Sequence, residues 1–270
     1  MKAPKTPPAV LCLSGSDPSG GAGLEADLKT FHRHGVRGMA LPTLLTVQNS
    51  RGVREVHFLD PNFLAKQWRA LFADARPAAI KIGALGSRRM VLRVAGLLSS
   101  PEAKGIPVVL DPVLGSTAGV PLFEESGLAL LVKRVFPLCR VVTPNVQEFT
   151  QLFDENFPAS PKLDVAAASL RALGNRPYAI LLKGGHLSGS ESTDLLWEKG
   201  RLTRFTETRL PWSAHGTGCA LASSIAAHLA WGRSLPSACR KAKAFVHAAL
   251  AEATPIGPGS KGRRSLNLWA

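Results

Sequence analysis

AVLCLSGSDPSGGAGLEADLKTFHRHG, residues 9–35, holds the signature of an α/β fold. It opens as an apolar run, AVLCLSG (9–15), and breaks into the glycine-rich SGSDPSGGAG. It goes on with Leu24, Leu28 and Phe31 at helical spacing, and Gly35 supplies a C-terminal cap. A strand feeds a loop, and the loop feeds a helix. Glycines at such a junction let the backbone approach a ligand closely. The spacing is neither the GxGxxG dinucleotide fingerprint nor the GxxxxGK[ST] phosphate loop, which weakens both of those readings.

The alternation continues outward. Apolar runs recur at MALPTLLTVQ (39–48), AAIKIGAL (78–85), PVVLDPVL (107–114), CRVVTPN (139–145) and YAILLKGG (178–185). Between them, PNFLAKQWRALFADA puts Leu64, Trp68, Leu71 and Phe72 at helical spacing, with Pro61 in the first turn. Segments 87–99, 124–136, 164–173, 218–231 and 236–252 also read as helices. TDLLWEKGRLTRFTETRL (193–210) reads as a hairpin turning at Lys199-Gly200. Strands apolar on both faces, alternating with helices, predict an α/β fold. Its mostly parallel sheet carries helices on both faces, in a single domain spanning residues 1–270.

The chain has 270 residues, 45% of them apolar, enough for a full-sized core. No apolar run reaches the roughly 20 residues that span a bilayer. The N-terminal stretch lacks a signal-peptide h-region, so a cytoplasmic protein with no membrane partner is expected. The four cysteines have no CxxC spacing, and reduced thiols are expected rather than a zinc site. The formal charge of +14 invites a nucleic-acid reading. The basic residues are scattered and aromatics are sparse, so a solvated basic surface or attraction to a polyanionic small substrate is the stronger expectation.

In a parallel sheet the ligand lies beyond the carboxyl ends of the strands. Each of the six ends is chemically marked: SGSDPSGGAG, TVQNS, IGA, DPVLGSTAG, TPNVQE and KGGH. In HGTGC (215–219), Gly216, Thr217 and Gly218 turn the backbone so that several N–H groups share one concavity. The helix after them adds its positive end, making an anion cradle. Cys219 stands at that helix mouth, where its pKa is expected to fall, suiting a proton acceptor beside a hydroxyl. An inert thiol on a buried helix is the equal alternative. Asn145 and Glu148 are placed either to hold magnesium or to form a helix cap. Lys183 suits phosphate oxygens, and Asp111 ends a strand whose interior would punish an unpaired charge. Asp27 lies in the first turns of its helix, facing a pocket or merely the helix N-terminus. Together these features point to phosphoryl transfer.

SGSDPSGGAGLEADLKTF, TVQNSRGV, IKIGALGS, VLDPV, VVTPNVQE, LLKGGH and HGTGC, in that order over roughly residues 9–265, resemble the ribokinase-like superfamily. Within it the chain is similar to bacterial hydroxymethylpyrimidine/phosphomethylpyrimidine kinases of thiamine biosynthesis. The resemblance implies ATP, Mg2+ and a homodimer. It also implies phosphorylation of the pyrimidine's hydroxymethyl group and then of the monophosphate. It places substrate contacts on Gly15, Ala22, Asp27, Gln48, Val113 and Cys219. It places magnesium and phosphate duties on Asp111, Asn145, Glu148 and Lys183, and the catalytic base on Cys219 beside the Gly216–Cys219 amides.

The chain departs from the family pattern at four points. Thr117 stands where the family's lid loop carries lysine. Ser213-Ala214 replaces Asn-Thr, Ala84 replaces a methionine and enlarges the pocket, and Glu25 replaces glutamine. A pyridoxal kinase of the same fold and a catalytically weak pyrimidine sensor are the alternatives these changes motivate.

Overall fold

Alternate side chains of the first strand serve two different cores. The computed structural model describes residues 6–116, 120–256 and 264–269. In it β1 (Ala9–Ser16) runs parallel between β2 (Arg37–Asn49) and β4 (Ala79–Ile82). Leu11 and Leu13 enter the core on one face of the sheet, Val10 and Cys12 the core on the other. This is the period of two that a strand buried on both sides requires.

Among the described residues the main sheet has the order β3-β2-β1-β4-β5-β6-β7-β8-β9. The parallel centre is completed by β5 (Val108–Leu110), β6 (Val141–Val142) and β7 (Ala179–Leu182). The edges are antiparallel: β3 (Gly52–Phe58) on one side, β8 (Glu191–Glu198) and β9 (Arg201–Thr208) on the other. The expected hairpin turns at Lys199 and Gly200, both with positive φ. The strand β3 was not anticipated. Its charged, exposed face carries little of the apolar signal that marks a strand.

α1 (Gly23–Arg33) carries the chain from β1 to β2 on one face, and α2 (Pro61–Asp74) carries it from β3 to β4 on the other. The strand order therefore reverses between β1 and β4, and a crevice opens beyond their carboxyl ends. α3 (Arg88–Leu98), α4 (Leu128–Leu130), α5 (Val146–Phe153) and α6 (Leu163–Ala172) join α2. α7 (Thr217–Ala230) and α8 (Leu235–Ala251) join α1. The helix expected over 124–136 is broken into short 3₁₀, α and π turns between Glu125 and Leu138. Pro137, which lacks an N–H, stands where a regular helix would need one. A small sheet of β10 (Ala214–His215), β11 (Thr254–Pro255) and β12 (Arg264–Ser265) closes over the start of α7. Among the described residues no helix is long and apolar enough to cross a membrane. Thr117 lies outside the described residues.

Candidate active site

The glycine-rich loops after β1 and before α7 are pressed together. Gly216 adopts φ +85°, and a Cβ there would sit 1.9 Å from the Gly21 carbonyl oxygen. Only glycine permits both the left-handed turn and the approach. α7 then begins at Thr217, so the amides of its first turn are free of helical partners and face the crevice with the positive end of the dipole. Gly218 brings this cradle to two charged side chains. Its Cβ position lies 3.2 Å from Lys183 Nζ and 3.5 Å from Asp111 Oδ2.

Lys183 Nζ is 2.6 Å from Asp111 Oδ1 and 3.4 Å from Glu148 Oε2. Asn145 caps α5, accepting from the Glu148 amide at 2.9 Å, while Glu148 Oε2 accepts from the Asn145 amide at 2.7 Å. The capping box expected as one alternative is thus present, and it aims Glu148 at Lys183. Burial opposes the Lys183 charge, but Asp111 and Glu148 override it and hold the ammonium above its usual range. Burial pushes the Glu148 carboxyl up to about 7, with Lys183 opposing and Asp111 reinforcing. The backbone under Lys183 is fixed from outside the site. Gly184 N donates to Asp194 Oδ1 at 2.7 Å, and Arg209 donates to the carbonyls of Gly185 and Leu187 at 2.7 Å each. Neither Asp194 nor Arg209 was anticipated as support for the site.

Asp27 does not face the pocket as expected. It is fully buried, with Oδ2 2.8 Å from Lys81 Nζ and Oδ1 accepting from Ser223 Oγ at 2.7 Å. Each oxygen has a protein partner and the side chain has no exposed surface, so it holds Lys81 and Ser223 in place. Lys81 was missed, though a lysine inside the apolar run AAIKIGAL is itself a signal, since a buried ammonium must be paired. Burial opposes the charge on Lys81, and Asp27, Cys219 and Asp111 together override it.

Gln48 lies near the end of β2, its carboxamide 3.2 Å from His215 Nε2. His215 Nε2 is also 3.0 Å from Asp17 Oδ2, which accepts the Ala22 amide at 3.0 Å. Glu25 accepts from Ser16 Oγ at 2.6 Å and from the Asp17 amide at 2.9 Å, tying down the same loop. Gly15 is held where a Cβ would meet Leu44 Cδ1 at 2.6 Å. Val113, half-buried, follows Asp111 in the loop after β5.

The expected fall in the Cys219 pKa is overturned. Burial raises the thiol to about 11; Lys81 and the Gly23 amide lower it, Asp27 and Asp111 raise it. Desolvation outweighs the helix N-terminus. Cys219 is therefore a neutral thiol at pH 7. Cys12, Cys139 and Cys239 are buried core thiols, as expected.

The crevice thus pairs an anion cradle and a carboxylate–lysine cluster with a carboxamide, beyond the carboxyl ends of a parallel sheet. The phosphomethylpyrimidine kinase family model matches residues 17–264. The chain belongs to this family. It is thereby a phosphotransferase with a ribokinase-like fold. The hydroxymethylpyrimidine/phosphomethylpyrimidine kinase of Streptomyces coelicolor is 41% identical over 95% of this chain and 93% of its own length. The thiamine biosynthesis bifunctional protein ThiED of Geobacter sulfurreducens is 39% identical over 96% of this chain, which spans only 52% of that longer protein. Among solved structures, Staphylococcus aureus pyridoxal kinase in complex with AMP-PCP and pyridoxal aligns with a TM-score of 0.85. It is 27% identical, with 97% of this chain and 93% of that one covered.

Proposed function

We propose that this kinase moves the γ-phosphoryl group of ATP to the hydroxymethyl oxygen of 4-amino-5-hydroxymethyl-2-methylpyrimidine, and then phosphorylates the monophosphate to the diphosphate. The observation that carries the reading is the meeting of Gly218, Lys183 and Asp111 at the first turn of α7. Phosphoryl transfer needs positioning and charge neutralisation more than covalent help. The α7 amides face the transferred group, and Lys183 exchanges Asp111 for a phosphate oxygen. Gln48 reads the ring at the other end of the crevice.

Among the described residues no group of three or more metal-ligating side chains occurs, but Mg2+ bound with a nucleotide asks for only one or two carboxylates. Asp111 and Glu148, two hard oxygen donors already gathered around a cation, fit that demand and would hold Mg2+ against the ATP phosphates, neutralising their charge. Cys219, a thiol at neutral pH, holds the substrate hydroxyl rather than stripping it. In a loose transfer the hydroxyl proton leaves late, after the new P–O bond has begun to form, and passes to an oxygen of the transferred phosphoryl group.

The same reading makes the protein a cytoplasmic homodimer. Exposed Leu45, Val47 and Phe58 on the β2–β3 edge support a self-complementary contact, which sedimentation velocity tests. Pyridoxal is the second candidate substrate, favoured by the small, buried Ala84 in the strand-end loop after β4.

Mass-spectrometric turnover with magnesium-ATP and the pyrimidine, its monophosphate and pyridoxal in parallel tests the proposal. Mono- and diphosphate formation is expected. Product from pyridoxal alone would replace the substrate, and no product from any of the three would overturn the kinase reading in favour of a pyrimidine sensor.

A further inference from the structure

Asp17, His215 and Gln48 meet where the loop after β1, the end of β2 and the residue before the anion cradle converge. Where their hydrogens sit follows from counting donors and acceptors. Asp17 Oδ1 accepts from the Ser19 amide at 2.9 Å and the Ser19 hydroxyl at 2.7 Å, and Oδ2 accepts from the Ala22 amide at 3.0 Å. Burial would raise this carboxyl, yet the hydrogen bonds from His215 and Ser19 bring it down to about 2. An ionised carboxylate only accepts, so His215 Nε2, 3.0 Å from Oδ2, carries the proton.

That proton fixes Gln48. With the Gln48 nitrogen 3.2 Å from a protonated Nε2, two donors face each other. At the far end, the Thr46 hydroxyl would have to serve both the Ser16 carbonyl at 3.0 Å and the Gln48 oxygen at 3.2 Å with one hydrogen. Turning the carboxamide by half a rotation leaves no donor facing a donor and frees the Thr46 hydrogen for Ser16. The oxygen then shares the His215 Nε2–H with Asp17 Oδ2, the nitrogen donates to Thr46 Oγ1, and Thr46 donates to Ser16.

We propose that His215 is a specificity-determining positioning residue: held by Asp17, its Nε2–H fixes which way round the Gln48 carboxamide faces the substrate ring. In that sense Gln48 keeps one lone pair on its His215 side and one N–H on its Thr46 side. An aminopyrimidine presents an amino N–H beside a ring nitrogen, the same donor–acceptor pair that Gln engages with two bonds on adenine. Pyridoxal has no such pair, because a methyl-bearing carbon separates its ring nitrogen from its hydroxyl. His215 also precedes Gly216 directly, so the residue that sets ring register is continuous with the cradle that receives the phosphoryl group. This inference rests on the pyrimidine reading above.

Calorimetric titration of hydroxymethylpyrimidine and pyridoxal, without ATP, tests it on the wild type and three variants. His215→Ala should weaken pyrimidine binding about tenfold, because the Gln48 carboxamide is then free to present the wrong edge, and pyridoxal binding less than about threefold. Thr46→Val should move the pyrimidine in the same direction by a smaller factor. His215→Gln, which keeps an N–H donor, should recover part of the loss. Equal weakening of both ligands, or unchanged pyrimidine binding, would overturn the proposal, because a purely structural role predicts no discrimination. If His215→Ala fails to fold, Thr46→Val carries the same comparison. Wild type that binds the pyrimidine without phosphorylating it would sink the kinase reading and leave this one standing. Turnover with unchanged discrimination in the variants would do the reverse, and a wild type that binds neither ring overturns both.

Discussion

Two lysine–aspartate pairs flank Cys219. Lys81 and Asp27 stand 2.8 Å apart with both side chains 0% exposed. Lys183 and Asp111 stand 2.6 Å apart, with the lysine 13% exposed and a second carboxylate, Glu148, beside it. The chemistry is the same and the access is not. A sealed pair cannot trade partners, so Lys81 is a fixed charge that pins α1, β4 and α7 together through Asp27 and Ser223. A pair open to the crevice can, so Lys183 can leave Asp111 for a phosphate oxygen. Burial separates the lysine that holds the site from the lysine that works in it.

The sharpest way to break that distinction is to neutralise the sealed lysine. Lys81→Met leaves Asp27 buried and uncompensated, and should cost about 3–5 kcal/mol in urea unfolding. The double variant Lys81→Met/Asp27→Leu should recover most of that loss, because it removes the orphaned charge as well. An unchanged unfolding midpoint in the single variant would mean that water reaches the pair and that the two lysines are not different in kind.

Lys183→Met should invert the pattern. Turnover should fall about 10²–10³-fold, or about 2.7–4 kcal/mol of transition-state stabilisation, while stability falls by less than in Lys81→Met, because Glu148, already raised to about 7, can take up a proton. A large stability loss with turnover preserved would make Lys183 the structural partner and exchange the roles assigned to the pairs.

Much of this is legible in the sequence. The strand–loop–helix alternation is local, and so are the glycines that mark the strand ends; 3.6 and 2 are periods a sequence displays. The convergence of Asp111, Asn145, Glu148, Lys183 and Gly218 follows from strand ends that are neighbours in a parallel sheet. What stayed hidden depends on partners far apart in sequence. Lys81 and Asp27 are separated by 54 positions, His215 and Asp17 by 198. The polar edge strand β3 has no apolar stripe to announce it. The Cys219 pKa was misread for the same reason. Its helix N-terminus is visible in HGTGC, but the burial that outweighs it is built by residues from α1, α8 and the C-terminal segment.

A smaller effect is expected where the cradle touches the working pair. Gly218→Ala puts a methyl 3.2 Å from Lys183 Nζ, tighter than ordinary contact. The lysine end is flexible and can yield a few tenths of an ångström, so the fold should survive. Its displacement from the phosphoryl position should cost about tenfold in turnover, or about 1.4 kcal/mol. Loss of folding would show that the ammonium is as rigid as the sealed one.

The thiol between the pairs gives the finest discrimination. With its pKa raised to about 11, Cys219 is protonated throughout the physiological range. Alkylation by iodoacetamide, followed on the Cys219 peptide by mass spectrometry, should rise about tenfold per pH unit from pH 7 to 10 without a plateau, because only the thiolate reacts. Between the ordinary thiol pKa and about 11 the folded state holds a proton that the unfolded state has lost. Stability should therefore decline slightly as pH rises through that window. A plateau near pH 8 would mean that Lys81 and the helix N-terminus overcome burial, and would restore Cys219 as a pre-formed base. If the plateau is absent, Cys219→Ala should still lower turnover with little change in melting temperature, because holding the hydroxyl requires the sulfur but not its negative charge. Unchanged turnover in that variant would leave the orientation of the hydroxyl to the α7 amides and Lys183 alone.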